Sequence, residues 1–350
     1  MSETSSLEAR LAAGARLDKR EAQGLWDLDL LVLGRWADQA RRRLNPGERV
    51  TFVIDRNINY TNICTSGCHF CAFFREPGSP EGFVLDTASL HQKLEELKNH
   101  GGTGVLLQGG LNPDLPFAYY EDLVRQIRGS GLGVHGFSPP EIAFMALRFD
   151  LPLKETLTRL MEAGLSSIPG GGAEVLADRV RSQISPRKCN SGQWLEVMAA
   201  AHELGLKTSA TMMFGHLESR AERLEHLLKI RDLQDRTRGF LSFIPWTFQP
   251  GATALGGEPL GAVEYLRTLA VSRLVLDNVP HLQVSWVTQG PKIAQVALKF
   301  GADDFGSTML EENVVAATGV GFRLSREEIE TLVRQAGYEP RVRDHRYNLL

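Results

Sequence analysis

Between residues 47 and 340, short apolar runs rich in β-branched side chains alternate with stretches of helical periodicity. Residues 51–58, 104–110, 133–138, 165–169, 206–214, 240–248, 282–287 and 302–305 read as eight strands. Helical patterns fill the intervals near 87–100, 117–130, 140–149, 152–163, 193–204, 220–236, 262–277 and 291–300, and a further helix is expected to open on Gly170-Gly171-Gly172-Ala173-Glu174. Ser325 and Glu328 fit a capping box at the head of a last helix over 325–336. Eight strand–helix repeats in one run predict a parallel (β/α)8 barrel of the TIM type. An open doubly wound sheet is the weaker alternative, because no dinucleotide fingerprint follows the first strand. Residues 1–46 read as an N-terminal helical extension, ended by Asn45-Pro46-Gly47; residues 47–340 form the barrel domain and 341–350 a C-terminal tail.

In such a barrel the chemistry collects on the loops that leave the C-terminal ends of the strands. The first of these loops holds three of the four cysteines, Cys64, Cys68 and Cys71, spaced C-x3-C-x2-C. Three thiolates on one short loop suit a soft metal centre, either an iron–sulfur cluster or zinc. They are one short of a closed zinc site, so zinc would need His69 or the distant Cys189 as a fourth ligand. A 4Fe–4S cluster on three cysteines instead leaves one iron open to a substrate or cofactor.

The other strand ends carry glycines and polar groups. Gly109 and Gly110 follow the second strand, Ser138 and Glu141 the third, the Gly170–Gly172 run with Glu174 the fourth, and His216 the fifth. Asp303 belongs to the eighth. Three successive glycines point to close backbone approach to a ligand, and Glu174 would favour a helix N-terminus there. Arg179, Arg181 and Arg187 are each able to grip a carboxylate bidentately, although at least two of the three are expected on the surface. Arg41-Arg42-Arg43 and Arg187-Lys188 read as solvated helix ends.

Composition narrows the partners. Thirty-nine basic against 42 acidic residues leave a net charge of −3, without the basic footprint of a nucleic-acid-binding protein. No apolar run approaches the length of a membrane span, and the polar first residues lack the plan of a signal peptide. Clustered free thiols call for a reducing compartment, so a cytoplasmic enzyme is expected.

The cysteine motif with Phe70 just before its last member resembles that of the radical S-adenosylmethionine superfamily. Asp55 to Asn62 and Ala72 to Arg75 around it, with Ile244-Pro245-Trp246-Thr247-Phe248, resemble the branch acting on futalosine and deazaflavin precursors, and within it the radical cyclases of the futalosine route to menaquinone. The resemblance implies a [4Fe-4S] cluster on Cys64, Cys68 and Cys71, with S-adenosyl-L-methionine at its open iron. It further implies cofactor contacts from Phe70, Gly109, Gly110, Ser138, Glu174 and Arg181. One feature departs from the pattern: the residue after the second-strand glycines is Leu111, where an acidic residue is usual. The implied reaction begins with a 5′-deoxyadenosyl radical that removes a hydrogen from the ribose of dehypoxanthine futalosine. The ribose radical closes onto the benzoate ring, and loss of an electron and a proton completes the cyclisation. Glu141, His216 and Asp303 are candidates for the proton acceptor, and a flavodoxin or ferredoxin would donate the first electron. Sister enzymes, aminofutalosine synthase or a deazaflavin-forming synthase subunit, share these features; a zinc-bearing barrel without radical chemistry and a simple electron carrier are more distant alternatives.

Overall fold

A computed structural model describes residues 3–350. Its strands are β1 (Arg49–Val53), β2 (Asp55–Asn59), β3 (Gly104–Gln108), β4 (Gly133–Gly136), β5 (Ser167–Ile168), β6 (Lys207–Phe214), β7 (Phe240–Thr247), β8 (His281–Leu282), β9 (Asp304–Ser307) and β10 (Glu339–Arg343). Strands β2 to β8 pair in sequence order, all parallel. A parallel bridge from Gln283 to Asp304 joins β8 to β9, and β9 pairs with β1. Because β1 and β2 are two halves of one stave separated only by Ile54, the sheet closes on itself. The result is the expected (β/α)8 barrel.

The expected first strand, 51–58, changes partners midway. Its lower half lies between β9 and β10, while its upper half pairs with β3. The expected seventh strand, 282–287, runs for two residues only; Trp286–Gln289 winds into a short helix, with the Trp286 indole donating to Ser307 O at 3.0 Å. Residues 170–174 do not open a helix. They form a loop, and the helix begins at Asp178 (Asp178–Ile184).

The N-terminal helices pack on the flank of the barrel. The helix Leu30–Leu44 buries Leu33, Trp36, Ala37 and Ala40, and it lies so close that a methyl group at Gly34 would meet the Phe300 ring at 2.7 Å. Arg231, at 3.0 Å from Leu17 O, secures the chain before it. No helix among the described residues is long and apolar enough to cross a membrane.

Two features depart from an ordinary barrel interior, which is filled by branched apolar side chains. The lumen here holds a cavity of about 270 Å³, whose wall combines apolar side chains such as Leu106, Ile244 and Trp246 with polar ones such as Asn57, Gln108, His135 and Ser242. The stretch 341–350, read from the sequence as a tail, carries part of β10 and then turns beneath the lumen. Arg343 is buried there and pairs with both oxygens of Asp304, which also accepts from Thr51 at 2.5 Å. Replacing Arg343 by Ala leaves Asp304 buried without its counter-charge, a loss of about 3–5 kcal/mol. The expected outcome is a clearly lower urea midpoint; an unchanged midpoint would contradict the pairing.

Candidate cofactor and substrate site

The cysteine loop leaves β2 at the upper rim. Its course is set by backbone bonds across the loop: Arg75 N–H donates to Asn62 O at 2.8 Å and Cys64 N–H to Arg75 O at 2.9 Å. Thr65 donates to Leu111 O from both its amide (3.0 Å) and its hydroxyl (3.1 Å). The Leu111 carbonyl, not its side chain, therefore works here, and it serves the cysteine loop. All four cysteines are free thiols. The sulfurs have donors of their own: the Ser66 amide lies 3.4 Å from Cys64 Sγ, and the Ser66 hydroxyl 3.2 Å from Cys68 Sγ. Burial pushes the Cys71 thiol up.

Gly109 and Gly110 are required by packing against this loop. A methyl group at Gly109 would sit 2.5 Å from the Tyr60 ring; at Gly110 it would sit 2.2 Å from Ile63 O and 2.9 Å from Cys64 Cβ. Glu141 fixes the same corner from beneath. Its buried carboxylate accepts from Tyr60 Oη (2.8 Å), Gly109 N (3.0 Å), Ser138 N (2.7 Å) and Ser138 Oγ (2.5 Å). Burial raises its pKa in spite of these four donors. A carboxylate so fully occupied positions backbone; it is not a free proton acceptor.

The glycine loop after β5 is equally tight. A methyl group at Gly170 would meet the Ala210 backbone at 2.5 Å, and one at Gly172 (φ +72°) would meet Pro140 at 2.3 Å. Trp194 Nε1 donates to Gly171 O at 3.1 Å. Arg181, nearly fully buried, spends its guanidinium on the carbonyls of Gly172 (3.1 Å), Ala173 and Cys189 (2.5 Å). It braces the loop from behind rather than facing a cofactor. Glu174 sits at φ +44° in the left-handed region, a strained conformation for a side chain of its size. Its carboxylate meets Lys188 Nζ at 2.7 Å.

Lys188 was read from the sequence as a solvated helix end. It is instead half-buried and turned inward, with Nζ 5.1 Å from the centre of the Phe70 ring. Desolvation by burial opposes its charge, but Cys68 and Glu174 outweigh it and raise its pKa. Burial would likewise raise Glu174, yet Lys188 and Arg181 hold it below the usual carboxylate range. Phe70, Cys68, Lys188 and Glu174 thus form one charged wall of the cysteine site. The neighbouring Arg187 is exposed and donates to Ser66 O at 3.2 Å, and Arg179 is exposed and paired with Glu222.

Two expected bases have their polar atoms taken by local partners and do not line the cavity. His216 is fully enclosed: Nδ1 accepts from Leu217 N at 2.7 Å, and Nε2 lies 3.1 Å from Met213 O. Burial depresses its pKa. Both ring nitrogens serve the local turn. Asp303 precedes β9 and so lies at the opposite end of the barrel from the cysteines. It pairs there with Arg273 and His281, each at 2.5 Å. A carboxylate missed as a site residue is better placed. Glu312, on the loop after β9, lines the cavity. It accepts from the amides of Val314, Val315 and Ala316 at 3.1, 2.7 and 3.0 Å, and burial raises its pKa.

The donor set fits an iron–sulfur cluster. Three soft sulfurs share one loop, with hydrogen-bond donors at two of them and the half-buried Lys188 close by. Among the described residues no three His, Cys, Asp or Glu side chains converge on one point as a single zinc ion requires. In a cubane each thiolate holds a different iron, so no such convergence is needed. Gly110→Ala drives a methyl group into Ile63 and Cys64 and should displace the loop. The expected outcome is iron and sulfide content after anaerobic reconstitution well below that of the unaltered chain, with Gly129→Ala, where a methyl group meets nothing within 4 Å, as the neutral control.

Comparison with known proteins adds family context. A profile of the radical SAM superfamily matches residues 58–230, and one of the CofH/MqnC C-terminal region matches residues 237–350. The cyclic dehypoxanthine futalosine synthase of Halalkalibacterium halodurans is 43% identical over 345 residues, covering 97% of this chain and 93% of that one. The aminodeoxyfutalosine synthase of Thermus thermophilus is 40% identical over 349 residues, covering 97% and 93%. Among solved structures, the FeFe-hydrogenase maturase HydG from Carboxydothermus hydrogenoformans superposes with a TM-score of 0.75 at 17% identity, covering 99% of this chain and 80% of that one. That last likeness speaks to the fold alone.

Proposed function

This chain belongs to the radical SAM superfamily, in the branch that carries the CofH/MqnC C-terminal region, and we propose that it cyclises dehypoxanthine futalosine to cyclic dehypoxanthinyl futalosine in menaquinone biosynthesis. The observation that carries this reading is the three-cysteine loop set over a lumen that mixes polar and apolar walls and has room for a nucleoside-sized molecule. The 43% identity to a protein named for that activity directs it to this substrate. The bound cluster and S-adenosyl-L-methionine would supply a 5′-deoxyadenosyl radical at the barrel mouth. A reduced flavodoxin or ferredoxin is the proposed electron donor, and the cytoplasm the proposed compartment.

This chain's residues then have distinct tasks. Cys64, Cys68 and Cys71 hold the cluster. Gly109, Gly110 and Ser138, fixed by Glu141, give the cofactor a rigid backbone edge, and Phe70 closes it from the cluster side. The Lys188–Glu174 pair faces the cofactor with one charge of each sign, matching its carboxylate and its ribose hydroxyls. Arg181 keeps Glu174 in its strained conformation through the carbonyls before it. Glu312 takes the proton that leaves as the benzoate ring regains aromaticity. Burial raises the pKa of its carboxylate and so makes it a stronger base than a solvated one, and it reaches the cavity where Glu141, His216 and Asp303 do not.

The 40% identity to an aminodeoxyfutalosine synthase keeps a sister reaction as the second reading. Anaerobic incubation of the reconstituted protein with S-adenosyl-L-methionine, dithionite and dehypoxanthine futalosine separates the two. A product lighter by two hydrogens, formed with 5′-deoxyadenosine, is expected. Formation of 5′-deoxyadenosine with the substrate untouched would move the sister reaction ahead.

Two variants test the roles. Lys188→Met removes the cation that offsets burial at Glu174, so the Glu174 pKa should rise. A depressed carboxylate is charged down to its low folded value, and with Lys188 gone that charge is lost at higher pH. S-adenosyl-L-methionine binding should weaken about tenfold or more and its acid limb move toward neutrality, read as KM against pH. For Glu312→Gln the expected outcome is continued 5′-deoxyadenosine formation with little cyclic product, together with loss of the acid limb of kcat.

A further inference from the structure

We propose that the chain's own C-terminal turn is the floor of the substrate pocket, and that His345 is a positioning residue that sets how deep the substrate sits. The proposal rests on the reading above that the lumen holds the substrate.

After β10 the chain makes a tight turn over residues 344–348. Asp344 N–H donates to Asn348 O at 3.0 Å, and the Asp344 carboxylate accepts from the amides of Arg346 and Asn348 at 2.8 and 2.9 Å. Alternate side chains of the turn enter the barrel, while Arg346 between them is exposed. His345 Nε2 lies 2.8 Å from Asp55 Oδ2, and its ring stacks on that of His135 at 4.9 Å and 18°. Tyr347 stacks on His281 at 4.0 Å and 4°, with the Arg343 guanidinium 3.9 Å from its ring centre. His345 and Tyr347 line the same cavity that Trp246 and Glu312 border above.

Two observations assign this floor to a ligand rather than to packing alone. Barrel floors are ordinarily filled by branched apolar side chains, and burying polar groups there is costly without partners. Asn57, two residues above Asp55 on β2, is 4% exposed and lines the cavity, yet its Oδ1 has no hydrogen-bond partner. The carboxylates nearby, Asp55, Asp303 and Asp304, already have their cations or donors. The Tyr347 hydroxyl on the same floor is likewise buried without a partner. A hydroxyl-bearing end of the substrate can donate to Asn57 Oδ1 and also pair with the Tyr347 hydroxyl, whereas an ionised carboxylate only accepts and leaves Asn57 unmet. His345 holds His135 and Asp55 beneath that contact.

The test uses cluster-loaded protein with S-adenosyl-L-methionine, dithionite and dehypoxanthine futalosine, in the unaltered chain, His345→Ala, His345→Gln and a chain ending at Arg343. The readouts are KM for the substrate and the ratio of 5′-deoxyadenosine to cyclic product. With His345→Ala and the shortened chain, cluster absorbance should stay unchanged, KM should rise about tenfold, the equivalent of one lost polar contact, and the ratio should climb severalfold. His345→Gln keeps a donor for Asp55 and should recover most of both. If the shortened chain does not fold, the two His345 variants decide. Folded variants with unaltered KM and ratio overturn the proposal while leaving the cyclase reading in place. An unaltered chain that leaves the substrate untouched overturns the cyclase reading and this floor with it.

Discussion

The buried carboxylate of Glu141 is the constraint on which the mouth of this barrel depends. It collects four hydrogen bonds from three strand ends: the Tyr60 hydroxyl beyond β2, the Gly109 amide beyond β3 and both donors of Ser138 beyond β4. A charge taken out of water is tolerated only when it is matched by donors. Meeting that demand locks three loops to one another. The cysteine loop inherits the lock, because Gly110 lies against Ile63 and Cys64 with no space for even a methyl group. The course of the cysteine loop is thereby tied to a buried carboxylate that lies outside it.

A second pairing organises the opposite wall. Glu174 and Lys188 come from segments fourteen residues apart and meet at 2.7 Å beside Phe70 and Cys68. Neither would remain charged at such burial alone. Held together, each fixes the other in the ionised form, and the sulfur of Cys68 adds to the support for the cation. The pair sits on a loop that Arg181 clamps through three carbonyls, so the strained backbone at Glu174 is over-determined, as strain at a working site requires.

The strand–helix alternation and the C-x3-C-x2-C spacing were legible in the sequence because both are local. Periodicity reports which side of an element is buried, and the cysteines lie within eight residues. What was illegible depends on contacts distant along the chain. Lys188 follows an arginine in a charged stretch, and only the fold turns one side chain in while leaving Arg187 outside. Asp303 falls inside the eighth strand's sequence run, 302–305, but the ladder starts one residue later, at Asp304, which puts Asp303 below the barrel with Arg273 and His281. Glu141 and His216 were rightly placed near the mouth, yet sequence does not show that their polar atoms are already taken. Glu312 was the opposite case, a carboxylate beyond the last strand with no motif around it and a place in the cavity wall.

The C-terminal segment carries this lesson furthest. Residues 341–350 have the polar, charged look of a tail, and their apolar content gives no reason to bury them. Two of them turn inward through charge matching, the buried Arg343 to Asp304 and the half-buried His345 to Asp55, contacts that need strands β9 and β2 to be in place. Such contacts reward folding only after the barrel has closed, since each partner lies more than thirty residues away in sequence. The floor is therefore held by contacts between segments distant along the chain, and by paired charges more than by apolar packing. A barrel could be closed more cheaply by apolar side chains. A polar floor with the Asn57 oxygen and the Tyr347 hydroxyl left unpartnered is the arrangement expected where the barrel must receive something polar from above.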